Sequence, residues 1–267
     1  MAERPVVFYD SGIGGLPYLA WVRERRPDAH FIYVGDNEHF PYGEKTHEEL
    51  RRIAVSVVGR ILTRFDPQLV VVACNTASVV ALAELRARYP VAFVGVVPAV
   101  KPAAERSRGR RIALLATTRT VGDAYSEKLI KEYASDCTVV RIAGRQLVSF
   151  IENDYIGASP DAVRAALEPT IAPLRSEKVD SVILGCTHFT FLDREIREGL
   201  GGGVDVIDSR EGVGRQVLRL LGSTARSDGD HPDASPAEGI LYHTASDNGH
   251  YRNYSTLMGL TYGGILE

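Results

Sequence analysis

The stretch Asp66-Pro-Gln-Leu-Val-Val-Val-Ala-Cys74-Asn-Thr76 joins an apolar, β-branched run to polar residues that follow directly after it. A second stretch, Asp180-Ser-Val-Ile-Leu-Gly-Cys186-Thr187, repeats this arrangement nearly half the chain later. In both, an acidic residue precedes the apolar run and a cysteine stands at its end. Strands that are apolar throughout are typical of parallel sheets covered on both faces. The repeat therefore predicts two similar α/β domains, each of which contributes one cysteine.

Short apolar runs alternate with helix-length stretches along the rest of the chain as well. This alternation predicts an α/β fold in which mostly parallel sheets are flanked by helices. In such sheets ligands bind at the carboxyl ends of the strands. The predicted strands are Pro5–Tyr9, His30–Gly35, Gln68–Ala73, Ala92–Val96, Arg111–Ala116, Thr138–Ile142, Ser181–Leu184 and Val204–Ile207, and the predicted helices include Thr46–Arg64, Ala77–Arg88, Arg119–Ser135 and Pro160–Glu177.

Proline and glycine mark the expected crossings between the two domains. Pro98 and Pro102 place the first crossing near residue 98, and Gly201-Gly-Gly203 is the neighbourhood of the return. Residues Gly222–Glu238 are rich in Gly, Ser, Asp and Pro, which predicts a mobile loop. Gly239–Glu267 resumes a strand-then-helix pattern, and we expect it to rejoin the first domain. The predicted domains are residues 1–97 with 208–267, and residues 98–207.

Bulk composition excludes several classes of protein. Of the 267 residues, 45% are hydrophobic and 24% are charged, and the formal net charge of −3 gives no broad attraction to nucleic acid or anionic membranes. No apolar run approaches the ~20 residues of a transmembrane helix, and the N-terminal residues lack the apolar core of a signal peptide. We therefore expect a cytoplasmic protein. Its three cysteines do not make a disulfide framework.

Cys74 and Cys186 both stand where a predicted strand gives way to the N-terminus of a helix. Free amide groups and the helix dipole at that point favour a thiolate and any bound carboxylate. Cys137 lacks this setting, and we interpret it as a structural cysteine. Zinc binding is not favoured, because neither strand-end cysteine has a second ligand at the usual spacing. A nucleophilic Cys186–His188 pair, as in a hydrolase, stays possible but gives Cys74 no role.

A glycine-rich loop, Asp10-Ser11-Gly-Ile-Gly-Gly-Leu16, follows the first predicted strand. Glycines let the backbone turn closely around a ligand. The loop does not match a dinucleotide fingerprint, because Gly12-x-Gly14 is followed by Pro17 where that motif has its third glycine. We interpret Asp10 as a group that binds an ammonium ion or orients an acid–base residue. An N-cap or a local Asx turn is the alternative.

Two further polar loops follow predicted strands. In Asp36–Gly43, Tyr42 is a candidate to cover a pocket, and a plain turn is the alternative. Thr117, Thr118 and Thr120 follow another strand and open the next helix. Their hydroxyl and amide groups suit a carboxylate, although helix capping explains them equally well.

Together these motifs resemble the glutamate racemase family, in whose order they occur between about residues 6 and 210. Aspartate racemases share the two-cysteine plan, but Ala-Cys-Asn-Thr-Ala-Ser and Gly-Cys-Thr-His resemble the glutamate branch. Asn37, where Thr is commoner, and Phe189-Thr190, where Pro usually stands second, are departures that remove no catalytic group. The motifs are Asp10-Ser11-Gly-x-Gly-Gly-Leu16, Gly35-Asp36 with Pro41-Tyr42-Gly43, Ala73-Cys74-Asn75-Thr76-Ala77-Ser78, Gly95-Val-Val-Pro98 and Leu184-Gly185-Cys186-Thr187-His188.

The resemblance implies two pseudo-symmetric domains with the active site in the cleft between them, and no metal, pyridoxal phosphate or nucleotide as cofactor. It implies that Cys74 exchanges the proton of D-glutamate and Cys186 that of L-glutamate, with Asp10 and His188 in support. It also implies a cytoplasmic homodimer that binds glutamate, but no nucleic acid or membrane, and supplies D-glutamate for peptidoglycan. The implied substrate-binding residues are Asp10, Ser11, Pro41, Tyr42, Gly43, Asn75, Thr76, Thr118, Glu152 and Thr187; a solvated acid at a helix end is the alternative for Glu152.

Two thiols suit such a reaction. Racemisation removes a proton from one face of Cα and returns one to the other face, which a thiolate and a thiol on opposite sides can do. Without a cofactor, hydroxyl and N–H donors have to stabilise the charge that develops on the α-carboxylate. The residues leave open a racemase for another acidic amino acid, a Cys–His hydrolase, and an amino-acid-binding protein with inert cysteines.

Overall fold

The computed structural model describes residues 4–222 and 239–267. These residues form parallel sheets and flanking helices, with short 3₁₀ helices at Tyr42–Glu44 and Thr187–Leu192. The strands are β1 (Val6–Asp10), β2 (Phe31–Gly35), β3 (Leu69–Val72), β4 (Ala92–Gly95), β5 (Arg111–Ala116), β6 (Thr138–Ala143), β7 (Ser181–Leu184), β8 (Asp205–Ile207), β9 (Gly239–His243) and β10 (Thr261–Ile265). The α-helices are α1 (Leu16–Arg23), α2 (His47–Phe65), α3 (Asn75–Arg88), α4 (Val100–Arg106), α5 (Thr118–Gly122), α6 (Ala124–Tyr133), α7 (Arg145–Asn153), α8 (Pro160–Ser176), α9 (Asp193–Leu200), α10 (Arg210–Leu220) and α11 (His250–Leu257).

The chain divides into two compact units, and the first runs up to Val96 and resumes at Arg210. Its strands form one sheet in the order β10-β9-β2-β1-β3-β4, and every pairing is parallel. The central strand β1 places Val7 opposite Ile32 on one side and Val70 on the other. These side chains are buried against α2 and α3, which removes the apolar faces of three elements from water.

The second unit, Val97–Ser209, contains a parallel sheet in the order β6-β5-β7-β8. Its core packs Ile112 and Ile183 of the sheet against Val100 and Ala103 of α4. The strand order β6-β5-β7-β8 places the unit's second strand first, followed by its first, third and fourth strands. The strands β2-β1-β3-β4 of the first unit have the same order. The winding of the chain reverses between the first and third strands of each sheet, which opens a crevice at their carboxyl ends. The residues that follow those strands are therefore the ones available to bind a ligand.

The predicted α/β class is confirmed, and so are the eight predicted strands, with ends that move by about one residue. The single helix predicted at Arg119–Ser135 is wrong, since α5 and α6 meet at Asp123. The backbone of Asp123 is extended there, and its side chain accepts a hydrogen bond from the Tyr125 amide at 2.8 Å. Such a cap starts a new helix, which explains the break.

The C-terminal segment extends the sheet of the first unit beyond the predicted strand and helix. After β9 and α11 the chain adds β10, which pairs with β9. The adjacent glycines Gly263 and Gly264 hid this strand, because glycine is unfavourable in strand interiors. The predicted loop Gly222–Glu238 lies outside the described residues except for Gly222. Within residues 4–222 and 239–267, every helix is too short or too polar to cross a bilayer.

Candidate active site

In the first unit, Asp10 and Cys74 lie at the carboxyl ends of the adjacent strands β1 and β3. Cys74 also occupies the N-cap position of α3, with its backbone still extended. Both side chains are buried, Asp10 completely and Cys74 with 5% exposure. The predicted placement of this thiol between a strand and a helix N-terminus is confirmed, and the positive end of the helix dipole faces it.

Ser11 connects Cys74 to Asp10. The Cys74 Sγ lies 3.9 Å from Ser11 Oγ, which in turn donates to Asp10 Oδ1 at 3.2 Å. The Ser11 amide donates to the same carboxylate oxygen at 2.6 Å. Asp10 does not cap α1, which begins six residues later after Gly15. The carboxylate therefore orients the hydroxyl that contacts the thiol.

Asn75 and Thr76, the first residues of α3, are buried beside Cys74 in the chain. Asn75 is 2% exposed, and neither its Oδ1 nor its Nδ2 has a hydrogen-bond partner. A buried amide without partners costs free energy, roughly 1–3 kcal/mol per unsatisfied group. A ligand that offers both a donor and an acceptor would recover this cost, as expected for a polar substrate.

The predicted Asp36–Gly43 loop is held by a buried hydrogen-bond network around Asp36. Tyr9 donates to the hydroxyl of Tyr42, which donates to Asp36 Oδ2, while Thr244 Oγ1 donates to Asp36 Oδ1 at 2.6 Å. Burial raises the pKa of both tyrosines well above 10.0, and in each case the charge of Asp36 adds to the effect. Tyr42 is therefore neutral and fixed, and the half-buried Pro41 and Gly43 flank it.

Sequence reasoning missed Tyr9 and Thr244. Tyr9 reads as one more apolar residue of β1, and Thr244 lies more than 200 positions from Asp36 along the chain. Nothing in the local pattern around Thr244 indicates that contact.

Asn37, the departure from the family pattern, accepts hydrogen bonds from the amides of Thr244 and Ala245 at 3.0 and 2.8 Å.

In the second unit, Cys186 follows β7 and precedes the 3₁₀ helix Thr187–Leu192. The predicted step from a strand to a helix N-terminus is confirmed here as well; the helix is a 3₁₀ helix, and α9 starts only at Asp193. Cys186 is 5% exposed, as Cys74 is, and Thr187 is buried beside it. The two thiols thus follow the third strand of their respective sheets.

Cys186, His188 and Glu152 form a buried, hydrogen-bonded series. The Cys186 Sγ lies 3.8 Å from His188 Nδ1, and His188 Nε2 lies 2.7 Å from Glu152 Oε2. Glu152, in α7, is 4% exposed, so its interpretation as a solvated helix-end acid is wrong. Burial alone lowers the pKa of His188, but the hydrogen bonds to Cys186 and Glu152 and their charges outweigh it. The pKa of His188 rises well above 6.5, which favours the imidazolium form of His188.

Of the threonines that follow β5, one caps a helix and the next is exposed to solvent. Thr117 is the N-cap of α5, and its Oγ1 accepts from the Thr120 amide at 3.3 Å. Capping therefore accounts for Thr117. Thr118, the residue expected to contact substrate, is exposed at the first position of α5.

Neither strand-end thiol belongs to a cluster that resembles a metal site. Across residues 4–222 and 239–267, ligand atoms close enough to share an ion occur at Asp36, Glu38 and His39. That group has a role already, since Asp36 and His39 bond each other at 2.9 Å. Cys137 directly precedes β6, and burial raises its pKa, which fits an unreactive thiol.

Comparisons with known proteins agree with this arrangement. The Asp/Glu/Hydantoin racemase family model matches residues 18–211. The glutamate racemase of Shewanella sp. (strain ANA-3) is 41% identical over 222 residues, which cover 83% of this chain and 81% of that protein. The Brucella canis (strain ATCC 23365 / NCTC 10854 / RM-666) glutamate racemase is 41% identical over 231 residues, or 85% and 83% of the two chains. Escherichia coli glutamate racemase, solved with L-glutamate and the activator UDP-MurNAc-ala, superposes with a TM-score of 0.85 at 36% identity and 98% coverage of both chains.

The chain therefore belongs to the Asp/Glu/Hydantoin racemase family, a class of isomerases. Both of its parallel sheets contain four strands in the same order. In each sheet a buried thiol follows the third strand of the unit. Within the class it is a member of the glutamate racemases, with which it shares both sequence and fold over most of its length.

Proposed function

We propose that this chain interconverts L-glutamate and D-glutamate without a cofactor, with Cys74 and Cys186 as the two acid–base groups. The observation that carries the proposal is the matched position of two buried thiols after the third strands of two like-ordered sheets. One thiol alone does not readily act on both faces of Cα, whereas a pair does. The proposal requires that thiols from both units reach one substrate.

The partners of the two thiols support opposite protonation states. Cys186 faces an imidazole that Glu152 keeps protonated, which stabilises a thiolate. Cys74 instead donates toward Ser11, whose hydroxyl is directed at the carboxylate of Asp10. Because that hydroxyl is directed at Asp10, the sulfur meets an acceptor and not a donor, which favours the thiol form of Cys74 in the proposed scheme. One thiolate and one thiol are the resting pair that a two-base racemase needs.

The reaction of L-glutamate then follows from these states. The Cys186 thiolate takes the Cα proton and becomes a thiol, and the electron pair moves onto Cα and the α-carboxylate. The Cys74 thiol gives its proton to the opposite face and becomes a thiolate, to which the Ser11 hydroxyl can turn and donate. D-glutamate leaves, and the exchanged protonation states are those that start the reverse reaction.

Glutamate presents two carboxylates and an ammonium group, and the expected binding residues match these charges. The unpartnered amide of Asn75 and the amides at the start of α3 and of the 3₁₀ helix at Thr187 suit carboxylates. Asp10 suits the ammonium group. Thr76, Thr118 and the Pro41-Tyr42-Gly43 turn complete the proposed set, and Glu152 acts through His188.

The proposal extends to the setting of the enzyme. The proposed domains are residues 1–97 with 208–267 and residues 98–207, and their bounds differ from those of the two compact units by one or two residues. The chain acts as a cytoplasmic homodimer that supplies D-glutamate for peptidoglycan. The resemblance to glutamate racemases supports these points. Light scattering on the purified protein should give twice the mass of one chain, and the mass of a single chain would contradict the dimer.

Incubation with L-glutamate in D₂O, without any added cofactor, tests the proposed reaction. Circular dichroism at the amino-acid band should decay to zero, and the Cα–H signal should disappear from the proton spectrum as deuterium enters. A reduced and folded sample that leaves both signals unchanged contradicts the proposal. Turnover of aspartate but not glutamate would keep the two-thiol mechanism and overturn the substrate.

The Cys186–His188–Glu152 series also resembles the nucleophile and base of a thiol hydrolase. That function gives Cys74 and the unpartnered Asn75 no task. Cleavage of an ester or amide substrate that survives Cys74→Ser, with no exchange at Cα of glutamate, would favour it over racemisation.

A further inference from the structure

Two of the sequence motifs, Ala73–Ser78 and Gly95–Pro98, meet at the hydroxyl of Ser78. Ser78 Oγ donates to the carbonyl of Val72 at 2.9 Å and accepts from the amide of Val96, also at 2.9 Å. Val72 is the last residue of β3, two positions before Cys74, and Val96 follows the last residue of β4. Ser78 is 4% exposed, so these bonds form away from water.

The backbone of Ser78 also holds Cys74. Its amide donates to the carbonyl of Cys74 at 2.9 Å, which is the first hydrogen bond of α3. One residue thus bonds the chain before Cys74, the carbonyl of Cys74, and the neighbouring strand end. The direction of the Cys74 Cα–Cβ bond depends on this backbone, because a strand end and a helix start meet at Cys74.

Gly95 allows Ser78 to approach β4. A Cβ atom at position 95 would lie 3.2 Å from Ser78 Oγ and 2.5 Å from Leu82 Cδ2. The Leu82 side chain could turn away from such a Cβ atom, but the Ser78 hydroxyl would have to give way, which would disturb its two hydrogen bonds. The glycine of one motif and the serine of the other therefore serve the same contact.

We propose that Ser78 is a positioning residue that sets the Cys74 thiol for proton transfer, and this rests on the proposed two-thiol mechanism. Proton transfer requires the donor and acceptor at hydrogen-bond distance, so a small displacement of one thiol slows its step selectively. Cys186 is held differently, since the Gly185 amide bonds Leu115 and the thiol faces His188. Loss of the Ser78 hydroxyl should therefore affect the Cys74 step and spare the Cys186 step.

Ser78→Ala tests this inference, with Ser255→Ala as the matched control. Ser255 is similarly buried in the same unit, but its hydroxyl donates to the carbonyl of Arg252 in its own helix, and among the described residues it bridges no strand ends. In Ser78→Ala we expect kcat to fall about tenfold or more, with KM within about twofold of the parent value. In Ser255→Ala both parameters should stay within about twofold of the parent.

Primary isotope effects with each α-deuterated enantiomer separate positioning from a general structural defect. The enantiomers have equal free energy, so kcat/KM must fall equally in both directions and cannot tell the two thiols apart. The isotope effect on D-glutamate, whose proton Cys74 removes in the proposed mechanism, should rise in Ser78→Ala, whereas that on L-glutamate should not. Isotope effects are ratios on the active fraction, so partial unfolding leaves them unchanged.

Unchanged kinetics, or isotope effects that shift equally for both enantiomers, would overturn the inference. Should Ser78→Ala yield no folded protein, Ser78→Cys keeps a similar volume with a weaker hydrogen-bonding group, and the same asymmetry should appear at smaller amplitude. Failure of the parent chain to racemise glutamate contradicts the proposed function instead. A parent that racemises while both Ser78 variants behave like it contradicts this inference alone.

Discussion

At the scale of residues, the two thiols differ in what surrounds them. Cys186 faces a charged imidazole backed by Glu152, whereas Cys74 faces the hydroxyl of Ser11 backed by Asp10. A cationic partner stabilises a thiolate, and an anionic one disfavours it. In the proposed mechanism, this asymmetry lets two chemically identical side chains start a turnover in different protonation states.

Replacement of either strand-end cysteine by serine tests the role of the thiols. An alcohol holds its proton far more tightly than a thiol, so Cys74→Ser and Cys186→Ser should each lower racemisation by about 10²–10⁴-fold. Circular dichroism of glutamate measures the loss, and thermal unfolding checks that each variant folds. Cys137→Ser is the control and should keep the parent rate. A Cys74 or Cys186 variant near the parent rate would refute the two-base scheme.

Glu152→Gln tests the charge that keeps His188 protonated. Because Glu152 raises the pKa of His188, its loss should lower that pKa, and His188 should release its proton at lower pH. The alkaline limb of kcat/KM should move down by about one pH unit. Glu84→Gln, an exposed acid on α3, should leave the limb in place. An unmoved limb in Glu152→Gln would show that the limb does not report on this pair.

At the scale of elements, the close approach of the ends of β5 and β7 determines the position of Cys186. Gly185 directly precedes Cys186, and its amide bonds the carbonyl of Leu115 in β5 at 2.7 Å. A Cβ atom at this position would lie 2.8 Å from Leu114 Cδ1 and 3.0 Å from Ala116 Cβ. β7 can therefore approach β5 at this point only without a side chain.

Gly185→Ala should force these strand ends apart. We expect a loss of about 1–3 kcal/mol in the free energy of unfolding from overpacking, together with a fall in kcat as Cys186 shifts. Gly202→Ala, where a Cβ atom meets nothing within 4 Å, is the control and should change the free energy by less than about 0.5 kcal/mol. Urea unfolding measures both, and equal values would contradict the packing argument.

At the scale of the whole molecule, one strand order occurs twice. In β2-β1-β3-β4 and in β6-β5-β7-β8, the crevice at the switch point receives the residues after the first and third strands. Asp10 ends the first of those strands and Cys74 follows the third in one sheet, and Thr117 and Cys186 follow them in the other. The repeated strand order places two thiols at equivalent positions. Their hydrogen-bond partners differ, since Cys74 contacts Ser11 and Cys186 contacts His188.

The pH dependence of stability belongs to this scale as well. Because the native state raises the pKa of His188, it binds that proton more tightly than the unfolded chain does. The resulting stability is complete below pH ~6.5 and is lost as pH rises through the native pKa, at up to ~1.4 kcal/mol per pH unit. Tyr9 and Tyr42 act in the same direction only above pH ~10.

Urea unfolding between pH 6 and pH 9 checks this sign. The free energy of unfolding of the parent should fall with pH more steeply than that of Glu152→Gln, in which His188 binds its proton less tightly. Glu84→Gln should follow the parent curve. Parallel curves for the parent and Glu152→Gln would contradict the proton linkage.

Local patterns in the sequence were sufficient for much of the architecture. Apolar runs of β-branched residues predicted the strands, and the polar residues after them predicted where Cys74, Cys186 and Asp10 would lie. Patterns of this kind report burial and local conformation, which depend on neighbours in the chain. The helix break at Asp123 was not predicted, because a side-chain cap overrides the local helical preference there. The glycine-containing strand β10 was not predicted, because it forms through tertiary pairing with β9.

By itself, then, the sequence determined the α/β class, the positions of the thiols at strand ends, and the motifs shared with the glutamate racemases. Only the tertiary structure decided the partners: Glu152 on His188, Thr244 on Asp36, and Ser78 between Val72 and Val96. These contacts join residues that are far apart along the chain or on different elements. Hydrophobic periodicity specifies which face of an element is buried, but not which polar side chain from another element meets it there.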